Sequence, residues 1–318
     1  MCTRKRGSQK LTGKTSGEVS LCPNRKKFYE QLLHNEISSD TCQLSTELEA
    51  DINNRHSDYL IEHGIKLKSE NKKPPYLYST VKMHKDPIKF RFITAGSNSS
   101  LKQLSVLVGY RLQKCLKVAK NHSVNRFYPR NDFYVIDSNK DPLDFMFKNN
   151  LMYCRKSIST FDFSTLFTSI PHHQLKDNLT KFVNRIFEIK DKTYIVCNDF
   201  FKNAFFSDNS NLSKSNLKFT KEEFLECIYF LIDNSFINFN GCVYRQVIGI
   251  PMGTSAAPHM ANIYLHVCEH EYFTYLYENN FNDKLAKLQH IFRYLFLKLI
   301  LLRWLSVRPT FLFAKLIF

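Results

Sequence analysis

Hydrophobic and polar positions change their spacing several times along the chain, and the changes fall at prolines, glycines and runs of charge. Residues 1–27 hold few apolar side chains and read as a basic, flexible arm. From 28 to 70 the pattern is helical and polar, with Leu32, Leu33 and Ile37 as contacts. Lys72-Lys73-Pro74-Pro75 stops any helix, because the residue before a proline is pushed toward extended geometry. YLYSTV (76–81) and KFRFIT (89–94) then read as two strands. Leu101 to Leu116 is apolar at helical spacing, and Lys156 to Phe163 is strand-like. Leu175, Leu179, Phe182, Val183 and Ile186 share one helical face, with Pro171 suited to that helix's first turn. Residues 202–218 read as a polar loop.

The clearest hairpin is SFINFNGCVYRQV (235–247). Asn240-Gly241 can take the two positive φ values of a type I′ turn, and β-prone residues flank it. IGIPMG (248–253) makes a second turn, and the helix after it carries Ala257, Met260, Ile263, Tyr264 and Val267 on one stripe. No internal repeat is present. The mixture of elements points to an α+β fold.

Composition narrows the function classes. The formal net charge is +16 over 318 residues, and such an excess points to a polyanionic partner, since neutralised phosphates release condensed counterions. The competing explanation is a basic protein kept in solution by its charge. Nine cysteines without a C-x-x-C pair argue against a zinc ribbon or a small disulfide scaffold and favour a reducing compartment. The basic N-terminus has no apolar leader, and Arg4 to Arg6 is too short a run to mark nuclear import. No stretch has the length and purity of a membrane span. An intracellular location, nuclear or cytoplasmic, without a membrane partner is expected.

Four segments carry candidate chemistry. In FDFSTLFTSIP (161–171), Asp162 ends a buried strand and would hold its carboxylate at the lip of a cleft, as a magnesium site for nucleotidyl transfer requires. Phe167 starts the turn beneath, where a ring could bar a ribose 2′-OH; an isolated strand-end Asp or Phe is more often a cap or core residue. GIPMGTSAAPHMANI (249–263) sets a tight turn before a helix of small residues that let a base pair or backbone approach, or form an ordinary helix start. FNGCVYRQ (239–246) supplies the hairpin before it. KMHKDPIKFRF (82–92) gathers Lys82, Lys85, Lys89 and Arg91, which could clamp a triphosphate, Arg by its bidentate fork; taken singly the lysines read as a solvated face. HVCEH (266–270) fits an inverted zinc-protease pattern, but only Asp283 and His290 remain downstream as a third ligand.

In order, these blocks resemble the Penelope-like branch of reverse transcriptases, relatives of telomerase, from about Pro75 to Tyr294. The resemblance implies a right-hand polymerase core of fingers and palm, with the thumb absent. It divides the chain into an arm (1–27), a helical N-terminal segment (28–70), fingers (71–150), palm with a fingers insertion (151–294) and an aberrant apolar tail (295–318). It implies RNA-templated DNA synthesis, with an RNA template, a DNA primer and dNTPs as partners and Mg²⁺, or Mn²⁺, as cofactor. Asp162 would be the first catalytic and metal-binding aspartate. Lys85, Lys89 and Arg91 would contact the dNTP, with Phe167 as the steric gate. Gly249, Met252, Gly253 and Pro258 would support template and primer.

One departure is serious. HIFRYL (290–295) arrives where the family's R-Y-x-D-D strand belongs, but Phe296-Leu297 stand in place of the two aspartates, and no Asp or Glu follows Asp283. Two-metal catalysis needs several carboxylates. Residues from about 296 onward are therefore expected to be the product of a frameshift or a mispredicted exon end, and the chain as written to be inactive. Rival expectations are a non-catalytic nucleic-acid-binding remnant, or a telomerase-like polymerase, disfavoured because the N-terminal part shows no telomerase RNA-binding region.

Overall fold

The computed structural model describes residues 23–66, 73–82, 87–126, 135, 166–198, 203–209 and 216–279, and its architecture is mixed α and β. In chain order the elements are α1 (Pro23–Ile37), β1 (Cys42–Leu44), α2 (Glu49–Glu62), β2 (Tyr76–Lys82), β3 (Lys89–Ala95) and α3 (Lys102–Arg126). A short α4 (Leu166–Ser169), then α5 (His172–Lys190), β4 (Tyr194–Asn198), β5 (Ala204–Ser207) and β6 (Asn216–Phe219) follow. The described chain closes with α6 (Lys221–Asp233), β7 (Phe236–Phe239), β8 (Cys242–Gln246) and α7 (Ala257–Glu278).

Two sheets form. The larger runs β1-β8-β7-β2-β3, antiparallel except for the β7–β2 junction, where Tyr76 pairs with Asn238 in parallel. Asn238 N–H donates to Pro75 O at 2.7 Å there. The sheet thus joins strands from both sides of residue 150. The smaller sheet runs β5-β4-β6, antiparallel throughout. Between β7 and β8, Asn240 (φ 50°) and Gly241 (φ 80°) make the type I′ turn that the Asn-Gly pair predicts.

Apolar stripes decide the packing. Leu175, Leu179, Phe182, Val183 and Ile186 of α5 are all buried, as the periodicity predicts, against α3, α6 and α7. Ala257, Met260, Ile263 and Val267 enter the same core, with Tyr264 half-buried beside them. A second cluster packs Leu33 and Ile37 of α1 onto Leu77, Ile237 and Phe239 of the larger sheet. Among the described residues, no helix is long and apolar enough to cross a membrane.

Four local expectations are corrected. Helix α1 already begins at Pro23, inside the segment read as a flexible arm, because Leu33 and Ile37 give it a surface to dock. The segment 28–70, read as helical and polar, is interrupted by β1, where Cys42, Gln43 and Leu44 pair with β8. Pro171 precedes α5 rather than opening it: its ψ of 136° is extended, its carbonyl accepts from Leu175 N–H, and it bridges to Ile248. The stretch 202–218, read as a polar loop, contains β5 and most of β6. Phe206 packs edge-on against Phe187, Phe219 is buried, and the fully buried Arg111 guanidinium lies 4.3 Å from the Phe219 ring centre while donating to Leu217 O. Packing partners far away in the chain turn that polar segment into strands.

Candidate functional site

The turn at 248–253 is where three separated segments meet. Its first half is tied to α4 and α5. Gly249 N–H donates to Ile170 O at 2.8 Å and Ile250 N–H to Phe167 O at 2.6 Å. Gly249 has φ +90°, and a Cβ there would lie 2.5 Å from the Phe167 carbonyl oxygen, so only glycine fits. His172, the first residue of α5, meets Gly249 O through Nε2 at 2.8 Å. Burial holds this imidazole below the usual histidine range, so it is neutral at pH 7 and donates from Nε2. Gln246, buried, donates through Nε2 to Ile248 O at 3.0 Å and braces the approach to the turn.

The second half of the turn is tied to β3. Thr94 N–H donates to Met252 O at 2.7 Å, so the turn covers the outer edge of the sheet. Gly253 has φ +113°, and a Cβ on it would overlap the Thr94 carbonyl oxygen. Ile93 Cγ2 would lie 3.5 Å from that same Cβ. KFRFIT, LFTSIP and GIPMG, separate in sequence, are therefore pinned together by backbone hydrogen bonds at one place.

The β2–β3 hairpin presents a basic and aromatic face beside this junction. Its register opposes Lys82 to Lys89, Thr80 to Arg91, Tyr78 to Ile93 and Tyr76 to Ala95, so these side chains share one face. Leu77 and Phe92, on the other face, pack toward α1. Arg91 is half-buried and Lys89 exposed, and no carboxylate pairs with either among the described residues. Tyr76 is 61% exposed and lies 6.0 Å from the Tyr78 ring.

The expected site residues fare differently. Arg91, Lys89, Met252 and Gly253 are gathered around β3, and Phe167 and Gly249 meet at α4. The Phe167 side chain is half-buried against the main core. Pro258 is exposed in the first turn of α7. Asp162 and Lys85 lie outside the described residues, as do the strand expected at 156–163, HIFRYL and the tail.

The small residues before and within α7 face protein. Ala256 N–H donates to Ser105 Oγ of α3, and Gly109 of α3 leaves room for Ser255: a Cβ there would be 3.0 Å from Ser255 O. Ala256, Ala257 and Ala261 are buried. The small-residue run expected to admit a base pair thus admits helix α3 at its start. Gln246 and Thr94 fall inside the expected hairpin FNGCVYRQ and strand KFRFIT without a role of their own, and His172 carried no signal in the sequence.

Behind the turn lies a cavity of about 50 Å³ lined by Gly249, Pro251 and Thr254 on one side and His56, Ser100 and Asn234 on the other. His56 Nδ1 is 2.7 Å from Ser100 Oγ, and burial pushes its pKa down to about 4. In HVCEH, His266 and Glu269 are buried and His270 meets Arg185. Among the described residues no group of three His, Cys, Asp or Glu is placed to hold a metal ion.

No protein-family model matches the chain, and no curated protein does. Among solved structures the chain is similar to telomerase from Candida albicans in complex with a TWJ fragment of telomeric RNA, with 15% identity and a TM-score of 0.40 over 80% of this chain. Telomerase from Candida tropicalis, also in complex with a TWJ fragment of telomeric RNA, gives 13% identity and a TM-score of 0.40 over 74% of this chain. The chain spans 45% and 40% of the length of those two telomerase chains.

Proposed function

We propose that this chain is the fingers and palm core of a Penelope-like reverse transcriptase that binds an RNA template with its DNA primer but, as written, does not extend it. The observation that carries the reading is the junction of KFRFIT, LFTSIP and GIPMG. These are the segments on which the sequence resemblance rests, and Thr94 N–H to Met252 O and Ile250 N–H to Phe167 O hold them together. A polymerase must bring triphosphate cations, the gate residue and the template support together, and a junction tied by backbone hydrogen bonds at glycine turns suits that task. The face with Lys82, Lys89 and Arg91 beside Tyr76 and Tyr78 suits a phosphate backbone with exposed bases, since cations neutralise phosphates and aromatic rings stack. The net charge of +16 favours such a partner throughout.

Catalysis is another matter. By the resemblance Asp162 would hold Mg²⁺, but Phe296-Leu297 occupy the place of its two partners, so the residues present do not complete a two-metal site. Primer extension on an RNA template with Mg²⁺ or Mn²⁺ should therefore yield no product. Extension by the chain as written would show that the catalytic carboxylates lie elsewhere in it.

Binding should persist. An RNA–DNA hybrid should bind with little sequence preference, and log affinity should fall steeply with log salt, by about 0.9 per phosphate contact. Arg91→Ala should weaken binding about tenfold and lower the salt slope by about one unit. Fluorescence anisotropy at several salt concentrations checks both, and a curve indifferent to salt removes the nucleic-acid reading.

A further inference from the structure

A second basic concavity lies away from the glycine turn, among α3, α5 and α7. Each helix is placed by its apolar stripe, and each also turns polar residues toward a shared cavity of about 260 Å³. Helix α3 contributes His122 and Ser123, α5 contributes Lys181 and Arg185, and α7 contributes His266, His270 and Glu271. The floor is apolar, from Phe182, Ile186 and Val267.

The charge balance inside is one-sided. Glu271 is engaged by Lys181 at 2.6 Å, so these two charges offset each other. No carboxylate pairs with Arg185 among the described residues; its Nη1 meets His270 Nε2, and guanidinium donors remain for a ligand. His266 stands edge-on to Phe182, with ring centres 5.8 Å apart, and lies 6.3 Å from His270. Helix dipoles do not account for these cations, because Lys181 and Arg185 lie at least a turn before the end of α5 and the α7 histidines fall mid-helix.

We propose that this cavity is a binding site for a phosphate group, with the Arg185 fork as its main ligand and the rings of His122, His266 and His270 lining its walls. A tetrahedral oxyanion matches the guanidinium fork. The volume is many times that of a single water and accepts a terminal phosphate with part of its carrier. The site stands apart from the proposed template cleft and does not depend on that reading.

The test is titration calorimetry of the full chain at pH 7 with inorganic phosphate, and with sulfate as a second tetrahedral oxyanion. Phosphate should bind the parent chain, and Arg185→Ala should weaken it about tenfold or more. Arg185→Lys, which keeps the charge but loses the fork, should fall in between and also covers the case in which the alanine variant misfolds. Sulfate should follow the same order of variants as phosphate. Lys221→Ala, which removes an exposed charge outside this cavity, should leave both anions unaffected. A 5′-phosphorylated oligonucleotide that displaces phosphate better than its 5′-hydroxyl counterpart would identify a strand end as the source; equal displacement would identify a free anion. Absence of binding by the parent chain, binding unchanged in both Arg185 variants, or an equal loss in Lys221→Ala would overturn the proposal.

Discussion

Gly253→Ala is expected to cost about 3 kcal/mol of folding stability and to abolish hybrid binding. Two costs add at this position. The backbone is held at φ +113°, where a Cβ is strained, and that Cβ would overlap the Thr94 carbonyl oxygen. The carbonyl cannot yield easily, since the adjoining Thr94 N–H is fixed to Met252 O at 2.7 Å. Gly241→Ala separates the two costs, because Gly241 has φ +80° but nothing within 4 Å of a Cβ. It should lose only the conformational part, about 1 kcal/mol. Gly249→Ala should resemble Gly253→Ala, given the 2.5 Å approach to Phe167 O. Urea unfolding and anisotropy measure both effects. If Gly253→Ala proves as mild as Gly241→Ala, the turn does not pin the junction and the functional reading loses its main support.

Glu269→Gln is expected to stabilise the protein at pH 8 and above, and to leave it unchanged near pH 4. Glu269 is 8% exposed in α7, no cation pairs with it among the described residues, and burial pushes its pKa up from 4.5 to about 8. The sign follows from proton counting. Below pH 4.5 both folded and unfolded states hold the proton, so the carboxyl carries no charge penalty. As pH rises from 4.5 toward 8 the unfolded chain releases its proton while the folded one keeps it, and stability falls; above about 8 the loss is complete. Glutamine, of nearly the same shape, cannot ionise and should regain on the order of 2 kcal/mol or more at the alkaline end. Denaturation midpoints from pH 4 to pH 9 should diverge between variant and parent. Parallel curves would mean that Glu269 titrates as an ordinary surface carboxylate.

How much was legible depended on the range of the interaction. The hairpin at Asn240-Gly241 was readable because two adjacent residues carry their own dihedral preference, and both take positive φ. The α5 stripe was readable because five apolar residues at helical spacing have one way to be buried together. Helix α6 was not among the expected elements, although Thr220 and Glu223 cap its start with a reciprocal box. Strand β1, three residues long and mostly exposed, has no pattern of its own and exists because β8 offers it an edge.

The candidate site divides along the same line. By itself the sequence determined which residue types are present: the glycines of the turn, the cations of the β2–β3 hairpin, and Phe296-Leu297 where two acids were expected. It also determined their chain order, on which the family resemblance depends. Only the tertiary structure decided that the turn at 249–253 serves both β3 and α4, through Thr94 and Phe167 at once. It alone turned Ser255 and Ala256 toward α3, buried Glu269, and gathered Arg185 with three histidines around a cavity. The reason is physical: spacing encodes local dihedrals and amphipathic faces, whereas which carbonyl meets which amide across a fold is settled by the packing of whole elements.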